Sequence, residues 1–368
     1  MVTIVVRLLR IVSLLAVAVI MSGCRMVVLD PPGDVAAQQG ELIVYATVLM
    51  MIVILPVMAL TVFFAWRYRE SNTDATYDPD WDHSISLEIV VWSVPLAIII
   101  CLAGLTWVAT HRLNPYDPLR RLSAEEPIDP TVEPMVVQVV AMDWKWLFLY
   151  PEYGVATVNE AAAIVDRPIE FRLTSTTVMN SFYVPALAGQ IYAMAGMQTE
   201  LNAVMNAPGV YDGFSANYSG AGFSQMRFKF HALDDDGFQD WVDSVASETR
   251  PLDRAAFVAL DKPSVNHPII RFDSIEEGLW DRILNMCVGE DEICLNDMQM
   301  VDALGGGGVA GLYNRELFRG ICSADDPRAL FVMLRPSLKE RSEEIIAAVS
   351  LLPPQDVTQS ASPRPDLR

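Results

Sequence analysis

The sequence predicts a membrane-anchored protein in which two transmembrane α-helices are followed by an external β-sandwich and a helical C-terminal region. The first observation is a pair of long uncharged segments, residues 42–66 and 89–110. The second is an alternation of apolar and polar residues farther along the chain, which is the pattern of half-buried strands. The third is composition, because 52% of the 368 residues are hydrophobic, and this disfavours a purely soluble protein.

Charge and cysteine content narrow the classes of function. The formal net charge is -20, which disfavours nucleic acid or an anionic lipid surface as a partner, because both are bound by basic patches. Such an acidic surface is either simply solvated or suited to docking of a basic redox protein. The five cysteines are widely spaced and include no C-x-x-C pair, so thiolate ligation of a structural metal is disfavoured.

The N-terminus has the features of a secretory signal. A basic start precedes an apolar run, residues 11–20, that is too short to span a bilayer. Small residues then stand directly before Cys24, an arrangement that resembles a bacterial lipoprotein signal. Residues 1–23 would be removed and Cys24 would be acylated, for example with palmitate. The alternative is an ordinary signal with a chance cysteine, and in both cases the mature chain begins outside the cytoplasmic membrane.

Each uncharged segment exceeds the roughly 20 residues that a membrane-spanning helix requires. The anchor, residues 24–112, is therefore predicted to contain two transmembrane helices that match those segments. Pro56 and Pro95 are compatible with this, because neighbouring helices can satisfy the backbone groups that a proline frees. Basic residues flank both membrane surfaces and do not decide the orientation. The external N-terminus decides the orientation, since two crossings of the membrane place everything after His111 in the periplasm.

The external part begins with a linker, residues 113–134, that is rich in proline and charge. A β domain over residues 135–233 follows it. The clearest strands lie at residues 169–173 and 226–230, where apolar and polar residues alternate strictly. Short strands at this spacing predict a sandwich or a barrel.

Residues 234–352 are predicted to be helical. The acidic run that starts at Asp234 predicts an N-cap for a first helix, because apolar residues then recur at helical spacing. Ser274 with Glu277 makes a capping-box pattern ahead of another helix. The last segment, residues 353–368, has the composition of a disordered tail.

Several blocks resemble subunit II of the haem-copper respiratory oxidases, in which two membrane helices precede an external cupredoxin-like β-sandwich. The resemblance covers residues 24–245 and fades beyond about residue 260. It is carried by residues 144–148 (WKWLF), 178–185 (VMNSFYVP), 191–199 (IYAMAGMQT), 208–226 (PGVYDGFSANYSGAGFSQM) and by LEIVVWSVP at the start of the second helix.

Copper-bearing members of that family hold a binuclear copper centre with one upstream histidine and a loop that reads C-x-E-x-C-x-x-x-H-x-x-M. The loop of this chain has the same length, so the resemblance assigns each ligand position directly. Met226 is retained, whereas the other positions hold Asn180, Ser215, Asn217, Ser219 and Phe223. Hydroxyl, amide and phenyl groups do not replace the thiolates and imidazoles that suit copper. The resemblance therefore implies a domain without metal, as in cytochrome bo-type ubiquinol oxidases.

The same resemblance implies a non-redox subunit of a proton-translocating enzyme that oxidises ubiquinol and reduces oxygen to water. No cofactor is expected in this chain, while haems and one copper are expected in subunit I, where ubiquinol would also react. Oxidase subunits I, III and IV and membrane lipid are the expected partners, in a bacterial inner membrane. Two alternatives stay open: a copper-bearing cytochrome c oxidase subunit II, and a tethered periplasmic lipoprotein that binds a ligand or assembles other proteins.

Two further features yield residue-level expectations. Glu88 stands where the family places a glutamate at the entrance of a proton path into subunit I, and the alternative is a solvated carboxylate that favours the helix N-terminus. The aromatic pair Trp144 and Trp146 is expected to pack against subunit I. Cys287 and Cys294 are close in sequence, so a disulfide between them is expected in an oxidising compartment. Cys322 would then be left over.

Overall fold

The computed structural model describes residues 26–299, except 77, 79, 130, 290, 291, 293, 297 and 298. The signal segment with Cys24, the part of the predicted helical region from residue 300 onward, Cys322 and the tail lie outside the described residues. The chain divides into two compact units, residues 1–284 and 285–368.

Two long helices form the anchor: α1 (Asp34–Arg67) and α2 (Ile85–Arg112). At about 1.5 Å per residue, each is longer than the roughly 30 Å hydrocarbon core of a bilayer. Both are apolar enough to be candidate membrane spans, and their apolar windows are not buried within the protein. Pro56 and Pro95 lie inside them, as the sequence predicts. Both helices extend beyond the uncharged runs at each end.

The start of α1 is fixed to the β domain. The backbone N–H of Gly33 donates to the carbonyl of Ala186 at 2.9 Å. A side chain at Gly33 has no room, because its Cβ would lie 2.8 Å from that same oxygen. The N–H of Asp34 donates to Oδ1 of Asn206 at 3.0 Å, and the buried Asp34 carboxylate accepts two hydrogen bonds from Arg121 at 2.9 and 3.0 Å. The β domain thereby supplies the cap that the helix lacks.

The β domain is a sandwich of two sheets, which confirms the predicted fold class. The six-stranded sheet has the order β12-β3-β2-β1-β5-β8 and the five-stranded sheet the order β4-β10-β9-β6-β7. The strands are β1 (Met135–Met142), β2 (Lys145–Tyr150), β3 (Val155–Val158), β4 (Glu160–Ile164), β5 (Ile169–Ser175), β6 (Asn180–Tyr183), β7 (Ile191–Ala193), β8 (Thr199–Ala203), β9 (Gly209–Ser215), β10 (Arg227–Leu233) and β12 (Ile270–Phe272). A small separate sheet pairs β11 (Pro251–Leu252) with β13 (Ser274–Ile275).

An aromatic cluster fills the space between the two sheets. The rings of Phe182 and Phe228 stack with centroids 5.3 Å apart, and Trp146 meets both rings edge-on. Phe148 contacts the same pair. Fully buried aromatic rings contribute large apolar areas, so these side chains account for much of the stability of the sandwich. Trp146 is thus a core residue of the sandwich itself.

The C-terminal region contains the two expected helices, α3 (Asp235–Ala246) and α5 (Leu279–Leu284), and between them a further helix, α4 (Arg254–Asp261). The predicted N-cap is confirmed, because Oδ1 of Asp234 accepts from the N–H of Gly237 at 2.9 Å.

Two expectations for this region are corrected by the structure. The region also contains strands, and β12 joins the six-stranded sheet by antiparallel pairing with β3. The capping box at Ser274 and Glu277 is wrong, since Ser274 lies in β13 and pairs with Pro251. The segment is too short to express a strand period, and its pairing with a distant segment decides its structure.

A buried ion pair ties β12 to the opposite sheet. Glu160 on β4 accepts two hydrogen bonds from Arg271 on β12, at 2.8 and 3.0 Å. The side chain of Glu160 is 6% exposed and that of Arg271 is 30% exposed. These hydrogen bonds raise the pKa of Arg271, and Nε2 of His231 lies 3.4 Å from the same carboxylate. Arg271 and His231 are therefore the cationic partners of this buried carboxylate, and loss of one partner from a buried pair is strongly destabilising.

A buried lysine makes a second link to the C-terminal region. Lys145 on β2 is fully buried, and its Nζ donates to the carbonyl of Lys262 and to Oγ of Ser264, both at 2.9 Å. Burial lowers the pKa of Lys145, while Asp261 and Asp143 oppose that effect. The hydrogen bonds of the ammonium group thus attach the segment that follows α4 to the start of β2.

The expected disulfide is present between Cys287 and Cys294, whose Cα atoms are 4.8 Å apart. Cys101 is free and exposed on α2, alone among the cysteines in the described ranges.

We expect both Cys287 and Cys294 to resist alkylation in the unreduced full-length protein and to react after reduction. Peptide mass mapping before and after reduction measures this, with Cys101 as the internal control for reagent access. Labelling of both thiols without reductant would contradict the bond.

Candidate functional site

The six positions assigned to the copper ligands converge on one end of the five-stranded sheet. Oγ of Ser215 lies 3.2 Å from Oδ1 of Asn180, to which it donates. The N–H of Ser215 donates to the carbonyl of Met226 at 3.1 Å, and the amide of Asn217 donates to the carbonyl of Met179 at 3.1 Å. The loop thus retains a closed, hydrogen-bonded conformation.

The side chain of Trp144 packs against this loop and forms a hydrogen bond with it. It has a positive φ of 65°, and its indole N–H donates to the carbonyl of Ser219 at 3.1 Å. A Cβ at Gly222 would lie 2.5 Å from the Trp144 ring, so only glycine permits this close packing. The expected contact of Trp144 with another subunit remains a prediction, and the structure adds a role within the chain itself.

The donor atoms around the loop do not fit copper. Hydrogen bonds within the protein occupy the amides of Asn180 and Asn217 and the hydroxyl of Ser215. Oγ of Ser219 is buried without a hydrogen-bond partner in the described part of the chain, and it is a neutral, hard donor. Phe223 offers no donor and packs against Tyr218 with ring centroids 5.6 Å apart. Met226, fully buried, is a soft donor without thiolate or imidazole partners, which copper requires.

Nothing elsewhere in the described ranges compensates for this loss. No group of three or more His, Cys, Asp or Glu side chains that could hold a metal ion occurs among those residues. The domain therefore has the loop and the ligand positions of a copper site, but the side chains at those positions are not suited to bind copper.

Glu88 lies at the opposite end of the anchor, in the first turn of α2. Its backbone N–H donates to the carbonyl of Ser84 at 2.9 Å, while its carboxylate Oε1 lies 2.5 Å from Nδ1 of His83. Both side chains are about half exposed, at 52% and 58%. The carboxylate therefore contacts the imidazole and is about half exposed. Sequence analysis missed His83, although its position just before the predicted helix was a usable signal.

Comparisons with known proteins decide the family. The family model described as COX Aromatic Rich Motif matches residues 247–291. Cytochrome bo(3) ubiquinol oxidase subunit 2 of Pseudomonas aeruginosa is 49% identical over 270 residues, which is 73% of this chain and 79% of that protein. Ubiquinol oxidase subunit 2 of Acetobacter aceti is 46% identical over 270 residues, 73% of this chain and 85% of that protein. The chain belongs to the ubiquinol oxidase subunit 2 family.

Membership in this family corrects one expectation and confirms another. The resemblance does not end near residue 260, because the family model extends to residue 291 and includes β12 and α5. The assignment to the quinol oxidase type is confirmed by these relatives.

Solved structures with similar folds include the periplasmic domain of cytochrome oxidase subunit II of Bradyrhizobium japonicum. That domain is 20% identical with a TM-score of 0.30, covering 32% of this chain and 96% of its own. A heme-copper terminal oxidase dimer solved by cryo-electron microscopy is 17% identical with a TM-score of 0.31, covering 40% of this chain and 99% of the matched chain.

Proposed function

We propose that this chain is the redox-inactive subunit 2 of a proton-translocating terminal oxidase that oxidises ubiquinol and reduces oxygen to water. The observation that carries the proposal is the loop at residues 215–226, where hydroxyl, amide and phenyl groups stand at the copper-ligand positions and bond within the protein. A domain of this kind has no group that can accept an electron. Electrons then pass from ubiquinol to the haems and the single copper of subunit I without entering this chain.

The two apolar helices support a multi-pass anchor in the bacterial inner membrane, with the β domain in the periplasm. In this arrangement the chain assembles with oxidase subunits I, III and IV and is surrounded by membrane lipid. Removal of residues 1–23 and acylation of Cys24 complete the proposal for the mature protein. The attachment of the start of α1 to the β domain, through the hydrogen bond between Asp34 and Asn206, suits a chain that holds the β domain in a fixed position against subunit I.

Glu88 is the residue to which we assign a direct part in proton uptake. Its carboxylate is half exposed, stands at the helix mouth and contacts a second titratable group, His83. The loop before it carries further carboxylates at Asp78, Asp80 and Asp82. An ionisable residue at the end of a membrane helix that faces water and a partner subunit is suited to receive protons and pass them inward.

The metal content of the purified native complex tests the redox-inactive role. We expect one copper for each complex, because only subunit I retains a copper site, and the measurement is elemental analysis of copper normalised to haem. The haem spectrum of the same sample controls for intact subunit I. Three coppers for each complex would overturn the proposal and restore the alternative of a copper-bearing cytochrome c oxidase subunit.

A further inference from the structure

A cavity of about 520 Å³, lined by both charged and apolar side chains, opens at the outer ends of the two anchor helices, beside the β domain. The start of α1, the end of α2, the segment that follows α2 and the edge of the sandwich all contribute to its wall. The titratable side chains that line it are Asp34, His111, Arg112, Asp117, Arg120 and Arg121. The cavity is distinct from both the residue 215–226 loop and the Glu88 end of the anchor.

The cavity lies at the depth where a phospholipid headgroup would lie. Its helical residues come just outside the uncharged segments, before residue 42 on α1 and after residue 110 on α2. A separate apolar groove of about 520 Å³ lies along α2, between Ile99 and His111. His111 lines both the cavity and this groove, so a single amphiphilic molecule can occupy the two together.

A second, smaller groove of about 150 Å³ leaves the cavity on the other side of α2. Leu42 and Leu105 lie along it between the two helices, and Arg112 and Arg121 line both this groove and the cavity. A cavity with charged side chains and a groove on each side of α2 has the arrangement expected of a site for a molecule with one headgroup and two acyl chains.

Charge in the cavity favours an anion. Among the side chains that line the cavity, three arginines, Arg112, Arg120 and Arg121, outnumber two carboxylates, Asp34 and Asp117. Glu41 lies in the smaller groove beside Arg112 and Arg121. The Asp34 carboxylate is already paired with Arg121. Arg112 and Arg120 are exposed and form no salt bridge within the described ranges. This local excess contrasts with a chain whose net charge is -20.

We propose that this cavity binds the phosphate of one membrane glycerophospholipid, with Arg112 and Arg120 as its cationic partners and the acyl chains in the two grooves. Guanidinium groups form strong, directed hydrogen bonds to phosphate oxygens. A lipid in this position fills the space between the anchor and the sandwich next to the Asp34–Arg121 ion pair. The proposal does not depend on the identity of the oxidase and requires only that α1 and α2 span a bilayer.

The test uses the purified complex that contains the full chain and its variant Arg112→Gln/Arg120→Gln. Both arginines are exposed and unpaired, so folding should not depend on them. We expect tightly bound lipid phosphorus, measured after extensive detergent washing, to fall by one for each complex. We also expect the affinity for a short-chain phosphatidylglycerol to fall by at least about tenfold, the effect of losing one or two charged hydrogen bonds. Inorganic phosphate should bind far more weakly than the lipid.

The matched control is Arg167→Gln/Arg172→Gln, which removes the same charge from ion pairs on the β domain. This control should retain the lipid and its affinity. Unchanged lipid phosphorus and unchanged affinity in the Arg112→Gln/Arg120→Gln complex would overturn the proposal. That result is also expected if a partner subunit covers the cavity. Equal loss of lipid in the control would likewise overturn it, because the effect would then come from overall charge.

Discussion

The Glu88→Gln complex is expected to oxidise quinol at least about tenfold more slowly per haem than the wild type, equivalent to roughly 1.4 kcal/mol or more in the barrier. Glutamine keeps the shape of the side chain and can still bond to Nδ1 of His83, which lies 2.5 Å from the carboxylate. It cannot release or accept the proton. The measurement is the quinol oxidation rate of purified complexes, normalised to haem content.

Two controls separate proton uptake from a structural role for Glu88. Glu70→Gln removes an exposed carboxylate from the same loop and should leave the normalised rate unchanged. Haem content and assembly should be normal in both variants. If Glu88 only stabilises the start of α2, the loss should be a stability change of about 0.3 to 1 kcal/mol with full turnover. An unchanged rate per haem would leave this chain with a structural role alone.

The second large effect is expected from Arg271→Met. This change removes the main partner of a carboxylate that is 6% exposed, and breaking a buried pair from one side costs about 3 to 5 kcal/mol. His231, at 3.4 Å, offsets part of this cost when it is protonated. The full-length protein should therefore unfold at a clearly lower denaturant concentration, measured by tryptophan fluorescence in detergent.

The control for Arg271→Met is Arg172→Met. The ion pair of Arg172 with Glu170 lies nearer the surface, with side chains 37% and 19% exposed, and should contribute no more than about 1 kcal/mol. Equal destabilisation by the two variants would show that the buried Glu160–Arg271 pair stabilises the sandwich no more than an ion pair nearer the surface.

Local signals in the sequence predicted the anchor and the clearest strands. An uncharged run long enough for a bilayer needs no information from distant residues, and α1 and α2 contain both predicted runs. The alternation at residues 169–173 likewise predicted β5, because side chains on a strand face opposite sides in turn.

The parts that the sequence did not predict depend on distant partners. β12 has three residues, too few to show a period, and the Arg271 side chain on it bonds to a carboxylate 111 positions away. Ser274 matched a capping pattern, yet pairing with Pro251 places it in a strand. At the candidate site, the resemblance to the family assigned the six copper-ligand positions, whereas the support from Trp144 required the three-dimensional packing around Ser219.

The attachment of Asp34 to Asn206 has a consequence for biosynthesis. Asn206, which accepts a hydrogen bond from the N–H of Asp34, lies 172 residues after it in the sequence. At about 5 to 20 residues per second, translation reaches it roughly 10 to 30 s after Asp34. During that interval the outer end of α1 has water in place of its cap. Folding of the exported β domain then supplies the hydrogen-bond acceptor that caps α1. The same step sets the position of the β domain relative to the anchor.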